Sequence, residues 1–169
     1  AAAFNPNVGP FQLSPMATEI EVQTVRWIAE MIGFPANCGG LLVSGGNMAN
    51  MVCVLAARRA KADWDVRTTG LRGMRRGQLR LYASTETHTW VQKTADLFGF
   101  GTEAIRWIPT DAGQRLDPEA LRDRVRADKE EGDCPLLVVG TAGTVSTGAV
   151  DPLRAIAKIC REEGLWFHV

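Results

Sequence analysis

The sequence predicts an α/β fold in which a mainly parallel sheet is flanked by helices. Helical and strand-like segments alternate along its 169 residues, the pattern produced when crossover helices join parallel strands. Residues 136–140 form a continuous apolar run, typical of a strand that a parallel sheet buries on both faces. The chain is 46% hydrophobic and is therefore able to bury one sizeable core.

The first predicted helix begins at Ser14-Pro15, because serine is a favourable N-cap and proline is favourable at the first helical position. The helix should end before Gly33 and Pro35, which do not continue a helix. Its apolar positions fall on one face: Val25, Ile28, Ala29 and Ile32.

A strand over residues 41–43 is predicted to end in a turn of small residues, Ser44 to Asn47, and a helix should start near Met48. This arrangement leaves backbone N–H groups unpaired at the positive end of the helix dipole, where a phosphate can bind. Gly45 and Gly46 would let the main chain approach the ligand closely. An ordinary connection between a strand and a helix has the same pattern.

The remaining elements continue the alternation. Strands are predicted over residues 79–83, 105–108, 136–140 and 165–169, and helices over residues 85–98 and 117–131. A further helix should be capped by Asp151-Pro152 and end at Gly164. Ligands of such folds bind outside the carboxyl ends of the strands. This rule brings four segments together: residues 44–47, 84–88, 141–148 and 168–169.

Candidate functional residues within these segments also have structural interpretations. His88 follows a predicted strand directly, but a surface or capping histidine would fit the same position. The hydroxyl-rich residues 140–148 could supply donors to a phosphate or a ring oxygen, or form a flexible loop. His168 lies in an apolar run and is more typical of a hydrogen-bonded core side chain.

Composition gives no support to a nucleic-acid or membrane partner. The formal net charge is zero, so no electrostatic argument favours a nucleic-acid or membrane partner. The arginines around residue 73 are not interleaved with aromatic residues and are interpreted as a solvated loop. They are Arg67, Arg72, Arg75, Arg76 and Arg80.

The sequence lacks the motifs of several common binding sites. The chain has no P-loop motif, no G-x-G-x-x-G after a strand, and no zinc-ligand spacing. No apolar run approaches membrane-spanning length, and the start of the chain lacks the features of a signal peptide.

The cysteines show no C-x-x-C spacing, which indicates reduced packing residues in a cytoplasmic protein. They are Cys38, Cys53, Cys134 and Cys160.

Several motifs, in a fixed order, together resemble one family. They are residues 14–21 and 27–35, residues 39–50, His88, residues 140–152 and residues 164–169. In this combination the chain resembles the group II pyridoxal-phosphate-dependent amino-acid decarboxylases, which include the aromatic-amino-acid, histidine and glutamate decarboxylases. The resemblance implies the large domain of a fold type I, PLP-dependent transferase-like enzyme, with pyridoxal 5'-phosphate as cofactor and a homodimeric assembly.

The resemblance also implies roles for individual residues. Gly45, Gly46 and Asn47 would lie at the phosphate of the cofactor. His88 would stack on the pyridine ring, near the substrate carboxylate, and act as the catalytic residue. Thr144 and its neighbours would line another side of the cofactor. No metal ligand is implied.

The sequence departs from the family pattern at two positions. Val145 stands where the family commonly has a second threonine, which puts one hydroxyl contact near the cofactor in doubt. Asn47-Met48 replaces a more usual Ser-Glu pair, which keeps a polar phosphate contact but changes its chemistry.

The resemblance further predicts that residues 1–169 form part of one PLP-binding domain. Residues 1–35 would be an N-terminal segment and helix, and residues 36–169 the α/β core. In the family, an aspartate that pairs with the pyridine nitrogen and the lysine that binds the cofactor follow the segment corresponding to 164–169. We therefore expect both residues and the small domain to lie beyond Val169, and the 169-residue chain alone to be inactive. Its own lysines are not at the family position: Lys61, Lys93, Lys129 and Lys158.

The function predicted for the intact protein is the decarboxylation of an L-amino acid to its amine. Two alternatives remain open at this stage. Another fold type I enzyme, such as an aminotransferase or a carbon–carbon lyase, would use the same cofactor, and a non-enzymatic α/β module could bind a phosphorylated ligand through residues 44–47. The substrate is not determined, although residues 5–13 are expected to border its cleft, with Phe11 as a candidate wall residue.

Overall fold

A computed structural model describes residues 7–35, 37–74 and 77–169. The chain divides into two compact units, residues 1–49 and residues 50–169. The expectations for the first residues of the chain, for residues 5 and 6 of the cleft segment, and for Arg75 and Arg76 lie outside the described residues. The predicted division of one partial domain at residue 35 stays a prediction.

The first unit contains a 3-10 turn at Phe11–Leu13, the helix α1 at Pro15–Met31, and the first turn of α2, which spans Gly46–Lys61. The prediction of α1 is confirmed, with Pro15 at its first position. The Ser14 side chain makes no capping hydrogen bond. The predicted apolar face is mostly exposed, since Ala29 is the one residue of α1 that is buried.

The strand prediction for residues 41–43 is wrong, because these residues, all of them described, join no sheet. The Leu42 N–H instead donates to Glu21 Oε1 at 2.7 Å. Leu41 and Leu42 are 55% and 56% exposed. A three-residue apolar run does not by itself specify a strand. The helix α2 begins at Gly46, two residues before the position expected from the sequence.

The second unit is built on a four-stranded sheet. All strand pairs are parallel, and the order is β2-β1-β3-β4. The strands are β1 (Leu79–Ser84), β2 (Ile105–Ile108), β3 (Cys134–Val139) and β4 (Trp166–His168). The predicted parallel α/β fold is therefore confirmed. After β1 the chain adds β2 on one side of β1, and it then crosses over to add β3 on the other side. A topological switch point therefore lies between β1 and β3.

Helices and two 3-10 turns precede or connect the strands. Alternate residues of β1 enter opposite layers: Leu81 packs with α2 and α4, and Tyr82 packs with α5 and α6. Each layer has its own buried cluster, so both faces of the sheet are covered. Besides α2, the helices are α3 (Val66–Thr69), α4 (Trp90–Leu97), α5 (Pro118–Glu130) and α6 (Leu153–Glu163), and the turns are Gly70–Gly73 and Thr102–Ala104.

The helix predicted over residues 85–98 begins late. It starts at Trp90, because residues 85–89 form a turn closed by the Thr87 N–H donating to the Ser84 carbonyl at 3.0 Å. The hydroxyls of Ser84 and Thr87 also hydrogen-bond at 3.2 Å. The prediction for α5 is confirmed at its start, where the Asp117 side chain accepts from the Glu119 N–H at 2.9 Å.

The predicted cap of α6 is also corrected. The Asp151 carboxylate does not bind the amides of its own helix. Its Oδ1 accepts the Leu116 N–H at 2.7 Å and its Oδ2 accepts the Thr141 N–H at 2.8 Å. Asp151 therefore joins the loop after β3 to the segment before α5. The expected end of α6 is confirmed, since Gly164 adopts the left-handed conformation at the C-cap, with φ 73°.

A charged cluster lies near the amino ends of the strands, and we call it the amino-end cluster. Buried Asp128 accepts hydrogen bonds from the Tyr82 hydroxyl at 2.7 Å and from Arg106 Nε at 2.9 Å. Burial acts to raise the pKa of Asp128, but hydrogen bonds from Arg124, Arg106 and Tyr82 hold it below its ordinary value. The members of the cluster are Arg80, Tyr82, Arg106, Arg124, Asp128, Glu131 and Asp133.

Within the described residues, no helix combines the length and the apolar character needed to cross a membrane.

Candidate functional site

The start of α2 is shaped as the sequence predicts for an anion site. Gly45 has φ 91°, in the left-handed region that favours glycine, and nothing lies within 4 Å of the position where a Cβ would stand. Its carbonyl accepts the Ala49 N–H at 3.1 Å. The amides of Gly46, Asn47 and Met48 lie in the first turn, where no helix carbonyl is available to them. That turn contains no acidic side chain, so an anion would meet no repulsion there.

The other predicted site residues, His88 and Thr144, belong to the second unit. His88 follows β1 and Thr144 follows β3. These strands are neighbours in the sheet, and both residues come after its carboxyl edge. They therefore follow the carboxyl ends of the two strands that flank the switch point, the edge at which parallel α/β folds in general bind ligands.

His88 is exposed, but its ring is oriented by the backbone. Its Nδ1 accepts the Trp90 N–H at 3.2 Å. Because Nδ1 is the acceptor, the neutral imidazole carries its proton on Nε2. In the sequence, His88 lies between the turn of residues 84–87 and Trp90, the first residue of α4, whose N–H binds the ring. The ring thus has a defined tautomer next to a strand end.

Thr144 is buried, and its hydroxyl is used inside its own loop. Oγ1 lies 2.8 Å from Thr147 Oγ1 and accepts the Ala149 N–H at 3.1 Å. The Thr144 N–H donates to the Ala149 carbonyl at 2.9 Å. Residues 144–149 are therefore closed by Thr144. Val145, at the position where the sequence departs from the family pattern, is 83% exposed.

The loop after β3 begins with Gly140 because a side chain would not fit there. A Cβ at this position would lie 2.8 Å from Leu153 Cδ2 and 3.0 Å from Phe167 Cε2. The close approach lets α6 and β4 pack against the end of β3. With the two hydrogen bonds to Asp151, it fixes where residues 141–150 leave the sheet.

His168 is the buried, hydrogen-bonded histidine that its apolar surroundings indicate. Its Nε2 lies 2.7 Å from Asn50 Oδ1. Its ring meets Trp90 edge to face, with ring centroids 5.2 Å apart and planes at 67°. Burial lowers the pKa of His168 below its ordinary value, which favours the neutral ring.

Sequence reasoning missed three residues of this region: Asn50, Trp90 and Asp151. Asn50 lies at helical spacing from Val54 and Ala57, which are both buried. A polar residue on a buried stripe requires a hydrogen-bond partner, and this was the available signal. Asp151 carried no such signal, because Asp-Pro before a helix is also the pattern of an ordinary cap.

Lys61, Lys93, Lys129 and Lys158 all lie on helices. Lys129 Nζ pairs with Glu163 at 2.7 Å, and Lys158 Nζ is 3.8 Å from Glu162. Neither amine is at a strand end.

Comparison with known proteins decides the family. The model of the pyridoxal-dependent decarboxylase conserved domain matches residues 1–169. The chain belongs to the pyridoxal-dependent decarboxylase family. The acidic amino acid decarboxylase GADL1 of Bos taurus is 38% identical over 167 residues, which are 99% of this chain and 31% of that protein.

Solved structures of the decarboxylase family give the same result. The crystal structure of mouse CSAD has a TM-score of 0.91 and 32% identity over 99% of this chain and 34% of its own. The structure of Oryza sativa TDC with PLP and tryptamine has a TM-score of 0.86 and 34% identity, over 99% of this chain and 36% of its own. The predicted fold type I class, family and cofactor are confirmed. The chain spans about a third of the length of these relatives.

The residues present fit the cofactor of the pyridoxal-dependent decarboxylases. Gly45 leaves open space where a side chain would stand, and the first turn of α2 has amides but no acid to meet a phosphate. His88 offers an exposed aromatic ring of fixed orientation after β1. The family match does not favour the two alternatives, another fold type I reaction or a non-enzymatic module.

Proposed function

We propose that the protein, at its full natural length, is a carboxy-lyase that uses pyridoxal phosphate to convert an L-amino acid to its amine and carbon dioxide. The family match over residues 1–169 supports this reaction. The observation that carries it is His88, an exposed imidazole whose Nδ1 is tied to the Trp90 amide just after β1. The position is where parallel α/β folds bind their ligands.

The start of α2 would bind the phosphate of the cofactor. The amides of Gly46 and Asn47 would donate to its oxygens, and the helix dipole would favour its negative charge. Gly45 would keep the approach clear of side-chain atoms. The Asn47 side chain adds a neutral polar group where the usual residue of the family is serine.

His88 would hold and move a proton. When bound, pyridoxal phosphate supplies an electron sink for the pair that the departing carboxylate leaves on Cα. The Trp90 amide fixes the imidazole with its proton on Nε2, so Nε2–H is the atom that would orient the substrate carboxylate or return a proton. Because the ring is oriented by the backbone, its direction does not depend on substrate.

Thr144 would line the cofactor from the loop after β3. Its hydroxyl is engaged by Thr147 and Ala149, so its contribution is to hold the loop closed. Val145 leaves this side of the site with one hydroxyl fewer than the family pattern.

The proposed partners are an amino-acid substrate and a second copy of the chain, with no role for nucleic acid or a membrane, in agreement with the net charge of zero. A homodimer is supported by apolar side chains that residues 1–49 leave exposed. They are Phe11, Leu13, Met16, Ile20, Trp27 and Met31. Sedimentation of the full-length protein tests the assembly.

The location proposed is the cytoplasm, because the cysteine pattern is that of reduced packing residues.

The reaction is tested by incubating the full-length protein with pyridoxal phosphate and a panel of acidic and aromatic L-amino acids. We expect one amine and one carbon dioxide for each substrate molecule consumed. A 2-oxo acid without carbon dioxide would identify an aminotransferase instead. Cofactor binding with no product from any amino acid would contradict the proposal.

A further inference from the structure

We infer that His168 is a positioning residue that, within residues 50–169, holds α2 at Asn50 and the His88 turn in one arrangement, through its contacts with Asn50 and Trp90. Its significance for the cofactor rests on the function proposed above. The contacts themselves are features of the apoprotein and are tested independently below.

The first contact fixes α2. Asn50 lies four residues after Gly46, where α2 begins, and its Oδ1 is 2.7 Å from His168 Nε2. An amide oxygen only accepts, so the Nε2 proton of His168 is the donor. The bond joins residues 118 positions apart in the sequence. It ties the first part of the helix to the end of β4.

The second contact leads to His88. The His168 ring packs against buried Trp90 with centroids 5.2 Å apart, and the Trp90 N–H donates to His88 Nδ1 at 3.2 Å. A continuous series of contacts therefore runs from Asn50 through His168 and Trp90 to the imidazole of His88. A displaced His168 ring would alter both of its neighbours.

Histidine suits this position because one small ring serves both contacts. It is planar and aromatic against Trp90, and it has a polar donor at Nε2 for Asn50. Phenylalanine would keep only the ring contact, and glutamine only a donor. These two substitutions separate the contributions of packing and hydrogen bonding.

The test measures pyridoxal phosphate affinity in the full-length protein by titrating the absorbance of the bound cofactor. His168→Phe and Asn50→Leu each remove the hydrogen bond, and each should weaken binding by roughly 5- to 10-fold. Because both break the same contact, the double variant should bind no more weakly than the worse single variant. His168→Gln should retain part of the affinity. The control Ile159→Val removes one methyl from the opposite layer and should leave the affinity unchanged.

A second readout uses the apoprotein. Hydrogen exchange of the amides of residues 50–54 should be at least about 5-fold faster in His168→Phe than in the wild type, with exchange in α6 unchanged. If His168→Phe does not fold, Asn50→Leu and His168→Gln carry the same test.

The outcomes separate the two claims. Failure of the wild-type protein to bind the cofactor would contradict the proposed function, and the exchange experiment would still decide whether His168 holds α2. If the wild type binds and the His168→Phe and Asn50→Leu variants match it in affinity, the inference is overturned. Equal loss of affinity in Ile159→Val would also overturn it, because the effect would then be general destabilisation.

Discussion

The two ends of the parallel sheet use their polar side chains differently. At the amino ends, the charged groups are paired with each other, and Asp128 is fully buried among its partners. At the carboxyl ends, the polar side chains do not form a cluster of paired charges. Several of them accept hydrogen bonds from backbone amides instead, as His88 does from Trp90. A cluster that satisfies its own charges stabilises the fold, whereas oriented groups that reach the surface are available to a ligand. The following predictions test this division.

The largest expected effect is on activity and comes from the carboxyl end. His88→Phe keeps an aromatic ring but loses the proton at Nε2, so the decarboxylation rate should fall on the order of 100-fold or more. The free energy of unfolding should change little, because the side chain is exposed. Lys93→Gln, an exposed change on α4, is the control and should retain activity. Steady-state kinetics decides, and full activity of His88→Phe would remove His88 from the catalytic role.

The largest effect on stability should come from the amino-end cluster. Asp128→Ala leaves Arg106, Arg124 and the Tyr82 hydroxyl without their shared acceptor, which should cost about 3 to 5 kcal/mol in the free energy of unfolding. Glu131→Gln changes an exposed member of the same cluster and should cost at most about 1 kcal/mol. Urea unfolding measures both. Similar losses in the two variants would argue against a buried, internally satisfied cluster.

A smaller loss is expected where the carboxyl-end loop is attached. Asp151→Ala removes the acceptor of the Leu116 and Thr141 amides and should cost about 2 to 3 kcal/mol. Residues 141–150 should become sensitive to limited proteolysis. Asp117→Asn is the matched control, because asparagine caps a helix as well as aspartate does. If cleavage in the loop were equal in both variants, Asp151 would not be what holds it.

The smallest effect is a pH dependence. The pKa of His168 is lower in the folded chain than the ordinary value of 6.5, because the ring is buried. The unfolded chain therefore takes up the proton first as pH falls. The stability linked to this ring is fully present above the ordinary pKa of 6.5 and decreases as the pH falls below it. His168→Phe should flatten this slope in urea titrations, and an unchanged slope would mean that the ring is not held neutral by burial.

The fold was largely predictable because its signals are local. The apolar run before Gly140, the Asp117-Pro118 helix start and the glycine at 164 each act over a few residues. The strand over residues 41–43 was predicted wrongly because hydropathy alone does not supply a partner strand. The start of α4 was predicted too early, since the turn at residues 84–87 depends on paired hydroxyls that periodicity does not reveal.

The site was predictable only in part, because some of its contacts join residues that are far apart in the sequence. The glycine turn before α2 and the position of His88 after β1 follow from local sequence. The Leu116 partner of Asp151 and the Asn50 partner of His168 do not, since they lie 35 and 118 residues away. Such pairs become visible only when the fold brings distant segments together. The roles of Gly45, Gly46, Asn47, His88 and Thr144 toward the cofactor stay predictions.

The most direct test is a crystal structure of the full-length protein with pyridoxal phosphate bound. We expect phosphate oxygens within about 3.2 Å of the backbone amides of Gly46 and Asn47, and the pyridine ring stacked against the imidazole of His88. A cofactor bound elsewhere, with these amides in solvent and His88 facing away, would contradict the account.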